Sequence, residues 1–219
     1  MASVTKSGVS TRKPSRTAPV QGGPKAQEAL EKLRNVWVRK RVTLMLVAAL
    51  AVGAILFLQG HQLHSPLHFQ DPMTIGGLSL IGVGLLIRSW AASILNKSRT
   101  LATEGPYSAC RNPLYLGSFL MLLGFFLMID NVWAISVLLT VIFLTYPPTI
   151  VYEEARMANS FGEVWTTYSA EVGRILPRFP RSKGPISISL WFRNGEYNAV
   201  LACLIGLVGI EAWRAVLSR

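Results

Sequence analysis

Residues 73–95 read MTIGGLSLIGVGLLIRSWAASIL, and Arg88 is their only charged residue. A bilayer's hydrocarbon core takes about 20 apolar residues of helix to cross, so this run is long enough to span it. Working outward, comparable runs occur at Val42 to Gln59, Leu114 to Ile129, Val132 to Val151 and Val200 to Leu217. The expected fold is therefore an all-α integral membrane protein with about five transmembrane helices. Composition agrees: 51% of the 219 residues are hydrophobic and 15% charged, against about 25% charged in soluble domains, and the mean hydropathy is +0.38. The first run resembles a signal peptide, yet a basic flank of 41 residues precedes it and four further apolar runs follow, so it is expected to stay as an anchor.

Orientation follows from the cations, because loops rich in Lys and Arg stay in the cytoplasm. Ten lie before the first span (Lys6, Arg12, Lys13, Arg16, Lys25, Lys32, Arg34, Arg39, Lys40 and Arg41), and none lies between Gly60 and Pro72. The segment Asn96 to Asn112 has Lys97, Arg99 and Arg111, and Glu153 to Asn198 has six more, whereas the Asp130-Asn131 turn has none. The N-terminus is thus expected inside, in a bacterial inner membrane. The net charge of +11 also suits RNA, but the basic flank lacks interleaved aromatics and any nucleic-acid-binding motif, so no nucleic-acid partner is expected.

Residues 1–25, rich in Ser, Thr, Pro, Gly and cations, lack the apolar surface to order themselves and are expected to form a disordered basic tail. In residues 26–41, AQEALEKLRNVWVRKR, Leu30, Leu33 and Trp37 recur at helical spacing among cations, the pattern of an interfacial helix. Residues 42–219 then form the membrane domain. Cys110 falls in a loop and Cys203 in a span, so no disulfide or zinc site is expected. His61, His64 and His68 share one outer loop, but Pro66 breaks any helix that would align them, and no metal is assigned.

Polar groups within or beside membrane helices are costly and usually functional. Gly82 and Gly84 with Arg88 read either as close helix packing or as a cleft opened by missing side chains. In LATEGPYSACRNPLYLG, residues 101–117, Asn112 and Pro113 resemble an N-cap and first helical residue. A helix start offers unpaired N–H groups to an anion, with Arg111 beside it and Tyr107 and Tyr115 able to offer ring faces. Glu153 and Glu154 follow a Pro147-Pro148 break in the fourth span, where prolines release backbone carbonyls that lipid cannot satisfy. Two carboxylates there suit a cation, or else a solvated helix exit. Neither a Rossmann fingerprint nor a hydrolase or zinc-protease motif occurs.

Together GPYSACRNPLYLG, two apolar helices, EEARMANSFGEVWTTY and VGRILP resemble the membrane-embedded methyltransferases of the isoprenylcysteine carboxyl methyltransferase and phospholipid N-methyltransferase superfamily, over roughly residues 75–180. The resemblance implies S-adenosyl-L-methionine as methyl donor in a cytoplasmic pocket, and a lipidic or amphipathic acceptor at the inner leaflet. It places Leu101, Tyr107, Asn112, Pro113, Leu114 and Tyr115 around the cofactor, with Glu153 and its neighbour Glu154, and likens Gly82 and Gly84 to a glycine pair used by phospholipid-methylating members. Asn112 stands where the family motif usually has His, and is expected to keep a hydrogen-bonding cap. Prenylcysteine-methylating members carry an Arg where this chain has Thr149, which argues against that acceptor.

The residues themselves fit the same donor. The helix start with Arg111 suits a carboxylate, Glu153 or Glu154 an ammonium, and the tyrosines a sulfonium and an adenine. No general base is assigned. The aromatic stretch Phe161 to Val172, with Trp165 and Tyr168 on one helical face, is expected at the interface over the site. Rival readings are an NADPH-dependent membrane sterol-type reductase, which usually has more spans, and a non-enzymatic scaffold or lipid-binding protein. The fifth span, with Glu211 and Arg214 near its end, either crosses fully or dips back.

Overall fold

In a computed structural model the described residues are 40, 43–96 and 100–218. The expected tail at 1–25 and nearly all of the expected interfacial helix at 26–41 lie outside them, as do Lys97 and Arg99. Every regular element among the described residues is helical: α1 (Thr43–Leu58), α2 (Pro72–Ile94), α3 (Pro106–Ala109), α4 (Pro113–Ile129), α5 (Val132–Glu171), α6 (Ile188–Arg193) and α7 (Tyr197–Leu217). Helices α2, α5 and α7 are long and apolar enough to cross a membrane, whereas α1 and α4 are shorter apolar helices. Of the five expected spans, three therefore reach crossing length among the described residues. The chain is an integral membrane protein.

Helices α2 and α4 run antiparallel along a seam of glycines. A Cβ on Gly84 would come within 2.6 Å of the Gly117 carbonyl oxygen, and one on Gly77 within 2.8 Å of that of Gly124. Each pair is seven residues apart on its helix, so both fall on one face every two turns, and only small residues let backbones approach this closely. Ile81, Met128, Cys203 and Ile210 fill the interior beside the seam, and Val52, Leu56 and Ala134 form a second cluster.

Helix α4 ends at Asp130 in a left-handed conformation (φ 44°, ψ 47°), and Asn131 at once caps α5 by accepting from the Ala134 N–H at 3.0 Å. That turn meets the histidine loop. His61 Nε2 bonds the Ile129 carbonyl at 2.7 Å, His64 pairs with Asp71 and lies 3.3 Å from Asp130 Oδ2, and Trp213 Nε1 donates to the His61 carbonyl at 3.0 Å. His61 and His64 thus lace the ends of α4 and α7 to the loop before α2.

The fourth span departs from expectation at its prolines. Helix α5 continues through Pro147 and Pro148 for 40 residues, and its non-helical residue is Gly162 (φ 52°, ψ −122°). Thr145 and Thr149, on either side of the prolines, donate back to the carbonyls of Val141 and Thr145 at 2.7 and 2.8 Å, the side-chain support that lets a membrane helix tolerate proline. Glu153 and Glu154 therefore sit within continuous helix rather than at a helix exit. Helix α7 has 21 residues without a break, enough to cross fully.

Candidate functional site

The chain reaches α4 through a compressed turn. Gly105 takes a positive φ of 56°, and a Cβ there would sit 2.9 Å from the Lys183 carbonyl oxygen and 3.1 Å from Trp90 Nε1, so glycine is required for conformation and for space alike. Pro106 starts the single turn α3, which buries Tyr107, and Leu101 lies half-buried in the coil before it.

Asn112 occupies the N-cap position of α4, but it makes no side-chain cap, which corrects the capping role expected for it. Its carboxamide instead donates to Glu154 Oε1 and to the Arg174 carbonyl, both at 3.1 Å. Held sideways by α5 and the segment beyond it, the side chain leaves the α4 N-terminus uncapped. Pro113 behind it is buried, and the Leu114 carbonyl accepts from Arg88 Nη1 at 3.3 Å and from Ser118 at 2.9 Å.

One turn into α4, the Tyr115 hydroxyl donates to Glu153 Oε1 at 2.9 Å. The Tyr115 ring meets Tyr146 edge-on at 5.4 Å, and Tyr146 packs on Phe119. Glu154 is more enclosed, with Arg174 Nε and Nη2 each 3.0 Å from Oε2 and Arg111 Nη1 at 3.6 Å. Arg111 is stacked beneath Trp165, 5.9 Å from the ring centroid, and its backbone N–H donates to the Gly173 carbonyl at 2.8 Å. Arg111, Asn112, Tyr115, Glu153 and Glu154, drawn from two separate stretches of sequence, thus stand together.

Trp165 and Tyr168 are buried against this cluster rather than turned toward lipid, because the break at Gly162 redirects the last part of α5. The Tyr168 hydroxyl donates to the Tyr107 carbonyl at 2.7 Å, and the Trp165 and Tyr168 rings pack at 5.8 Å. Burial pushes the Tyr107 phenol far above the usual range, and the nearby Tyr168, Cys110, Glu196 and Glu153 add to it. Burial also pushes the Cys110 thiol up to about 11. Two polar atoms in this interior, the Tyr107 hydroxyl and Arg111 Nε, are buried with no hydrogen-bond partner. Buried polar atoms are nearly always paired, so these two are unsatisfied polar groups within the candidate site.

Gly82 and Gly84 part company. Gly84 is occupied by the α4 seam, whereas the space beside Gly82 is open for 4 Å.

Two features escaped the sequence reading. Arg174 lies in VGRILP, a motif visible in sequence, but its pairing across 20 positions leaves no periodic signal. Glu196 is buried and binds Arg88 with two bonds, Nε to Oε1 at 2.7 Å and Nη2 to Oε2 at 3.0 Å, while Arg88 Nη1 also donates to Ser118 at 2.5 Å. A cation in an apolar span requires such a partner, and that was the available signal.

A family model described as phospholipid methyltransferase matches residues 72–164. The chain is 35% identical over 130 residues to the cobalt-zinc-cadmium resistance protein CzcN of Cupriavidus metallidurans, covering 56% of this chain and 58% of that protein. It is 32% identical over 110 residues to the nickel-cobalt-cadmium resistance protein NccN of Alcaligenes xylosoxydans xylosoxydans, covering 48% and 50%. With the protein-S-isoprenylcysteine O-methyltransferase of Schizosaccharomyces pombe it shares 28% over 102 residues, covering 47% and 43%. The chain spans about half the length of these curated relatives. No solved structure matches it. The phospholipid methyltransferase match runs from α2 to the kink of α5 and so takes in both halves of the polar cluster, and with the yeast methyltransferase it makes the chain similar to the isoprenylcysteine carboxyl methyltransferase and phospholipid methyltransferase superfamily.

Proposed function

We infer that this chain is an S-adenosyl-L-methionine-dependent methyltransferase acting on a lipidic or amphipathic acceptor at the inner membrane leaflet. One observation carries the reading: Tyr115 and Asn112 at the start of α4 are bonded to Glu153 and Glu154 of α5. The donor, when bound, supplies a methyl group on a sulfonium centre already activated for displacement. Glu153 or Glu154 suits its ammonium, and the uncapped α4 start with Arg111 suits its carboxylate. The orphaned Tyr107 hydroxyl and Arg111 Nε supply buried polar atoms that such a ligand would satisfy. The rings of Tyr107 and Tyr115 suit the cationic sulfur and the adenine, and Leu101, Pro113 and Leu114 would add apolar contacts. Gly82 leaves room on the lipid side for an acceptor, whereas Gly84 serves the helix seam.

The chain's own task is alignment and exclusion of water. Tyr115 fixes the Glu153 carboxylate, and Trp165 and Tyr168 cover the cluster from the far side. The one-sided distribution of Lys and Arg supports a cytoplasmic site and N-terminus. The test is incubation of membranes containing the chain with radiolabelled methyl donor, followed by lipid extraction. Label is expected in a lipid-soluble product and lost in Glu153→Gln. Absence of label from every extract would overturn the reading.

A further inference from the structure

Between Val172 and Glu196 the chain has no acidic residue, and it carries five exposed cations: Arg174 is committed to Glu154, Arg181 lies 3.3 Å from the exposed Glu171 carboxylate, and Arg178, Lys183 and Arg193 complete the set. Among them Leu176, Phe179, Ile186, Ile188 and Phe192 are also exposed, Phe179 to 97% and Leu176 to 83%. Apolar side chains turned outward in water are unfavourable, yet here the backbone is pinned and holds them there. The Arg178 N–H donates to the Ala109 carbonyl at 3.0 Å, the Arg181 N–H to Ser108 Oγ at 2.9 Å, and the Gly105 N–H to Ser182 Oγ at 3.2 Å.

The depth of this segment is set by α2. Trp90 Nε1 donates to the Lys183 carbonyl at 3.2 Å, the Ser187 N–H to the Ser93 carbonyl at 3.0 Å, and Asn194 Nδ2 to the carbonyls of Ala92 and Leu95. It therefore lies level with the last turn of an apolar span, where hydrocarbon gives way to headgroups. Cations interleaved with aromatic and aliphatic side chains at that level match an anionic lipid surface. Single-stranded RNA also takes cations and aromatics, but it has no use for exposed Leu176, Ile186 and Ile188.

We propose that residues 174–193 are a docking surface for anionic lipid headgroups and that docking stiffens residues 105–112, to which the segment is bonded. The test uses the full chain with Phe179→Cys carrying a nitroxide, in nanodiscs of phosphatidylcholine alone or with phosphatidylglycerol at about three to one. In anionic discs the nitroxide is expected to meet lipid-dissolved oxygen and to be shielded from a water-soluble nickel chelate. Neutral discs, or Arg178→Gln, Arg181→Gln and Lys183→Gln together, should return it to water, since these changes spare the backbone bonds. Hydrogen exchange at the Gly105 and Arg111 amides should slow about tenfold in anionic discs.

Equal depth in both discs, or no effect of the triple change, overturns docking, and unchanged exchange overturns the stiffening. Greater shielding by a homopolymer RNA than by anionic lipid overturns the choice of partner. None of these readouts needs cofactor or methyl transfer, so they stand apart from the enzymatic reading.

Discussion

The Tyr115 hydroxyl meets the Glu153 carboxylate at 2.9 Å, so the first turn of α4 is tied to α5 one turn beyond its two prolines. A hydrogen bond to a charged group contributes about 1.5–3 kcal/mol. Tyr115→Phe removes the bond and keeps the ring. Affinity for S-adenosyl-L-methionine, measured by equilibrium dialysis, is expected to fall about tenfold or more, with helical content by circular dichroism unchanged.

The glycine seam predicts opposite outcomes for two similar substitutions. Gly84→Ala places a Cβ against the Gly117 backbone, and overpacking of this kind costs about 1–3 kcal/mol. Gly82→Ala meets open space and gains about 0.5–1 kcal/mol from the better helix propensity of alanine. Thermal unfolding of the detergent-solubilised protein should show a lowered midpoint for the first and an equal or raised one for the second.

The pair of half-buried Arg88 and buried Glu196 predicts a cycle. Removing one partner of a buried pair costs about 3–5 kcal/mol because it strands the other charge, whereas replacing both by apolar residues is often neutral. Glu196→Ala alone should lower the recovery of monodisperse protein by size-exclusion chromatography, and Arg88→Met with Glu196→Leu should restore most of it. Equal loss in the single and double variants would contradict the pairing.

Cys110 predicts a pH dependence. Its thiol titrates near 9 when unfolded and near 11 when buried, so the folded state holds the proton more tightly. The stability this contributes is fully present below pH 9 and is lost as pH rises from 9 to 11. In a Cys203→Ser background, alkylation of the folded protein by iodoacetamide should stay slow at pH 9 and accelerate only toward pH 11.

Much of this arrangement is legible in the residues themselves. Hydropathy located the helical runs, and Asn112, Tyr115, Glu153 and Glu154, singled out by motif order, stand beside one another in the structure. What escaped are properties of tertiary placement. Asn112 has the composition of an N-cap, but Glu154 and the Arg174 carbonyl compete for its carboxamide and win. Pro147 and Pro148 suggested a break that Thr145 and Thr149 help to bridge, while the actual break, Gly162, sits in a polar stretch where no apolar periodicity is interrupted. Trp165 and Tyr168 read as a face over the site, but their burial there against Arg111 and the Tyr107 carbonyl does not show in the sequence.

The most direct measurement is saturable binding of radiolabelled S-adenosyl-L-methionine to the purified, folded chain. The account predicts a single class of sites, weakened by more than tenfold in Glu154→Ala, where a buried ionic partner is removed. Saturable binding that is unaltered in Glu154→Ala, or no binding by a chain whose helical content is intact, would contradict it.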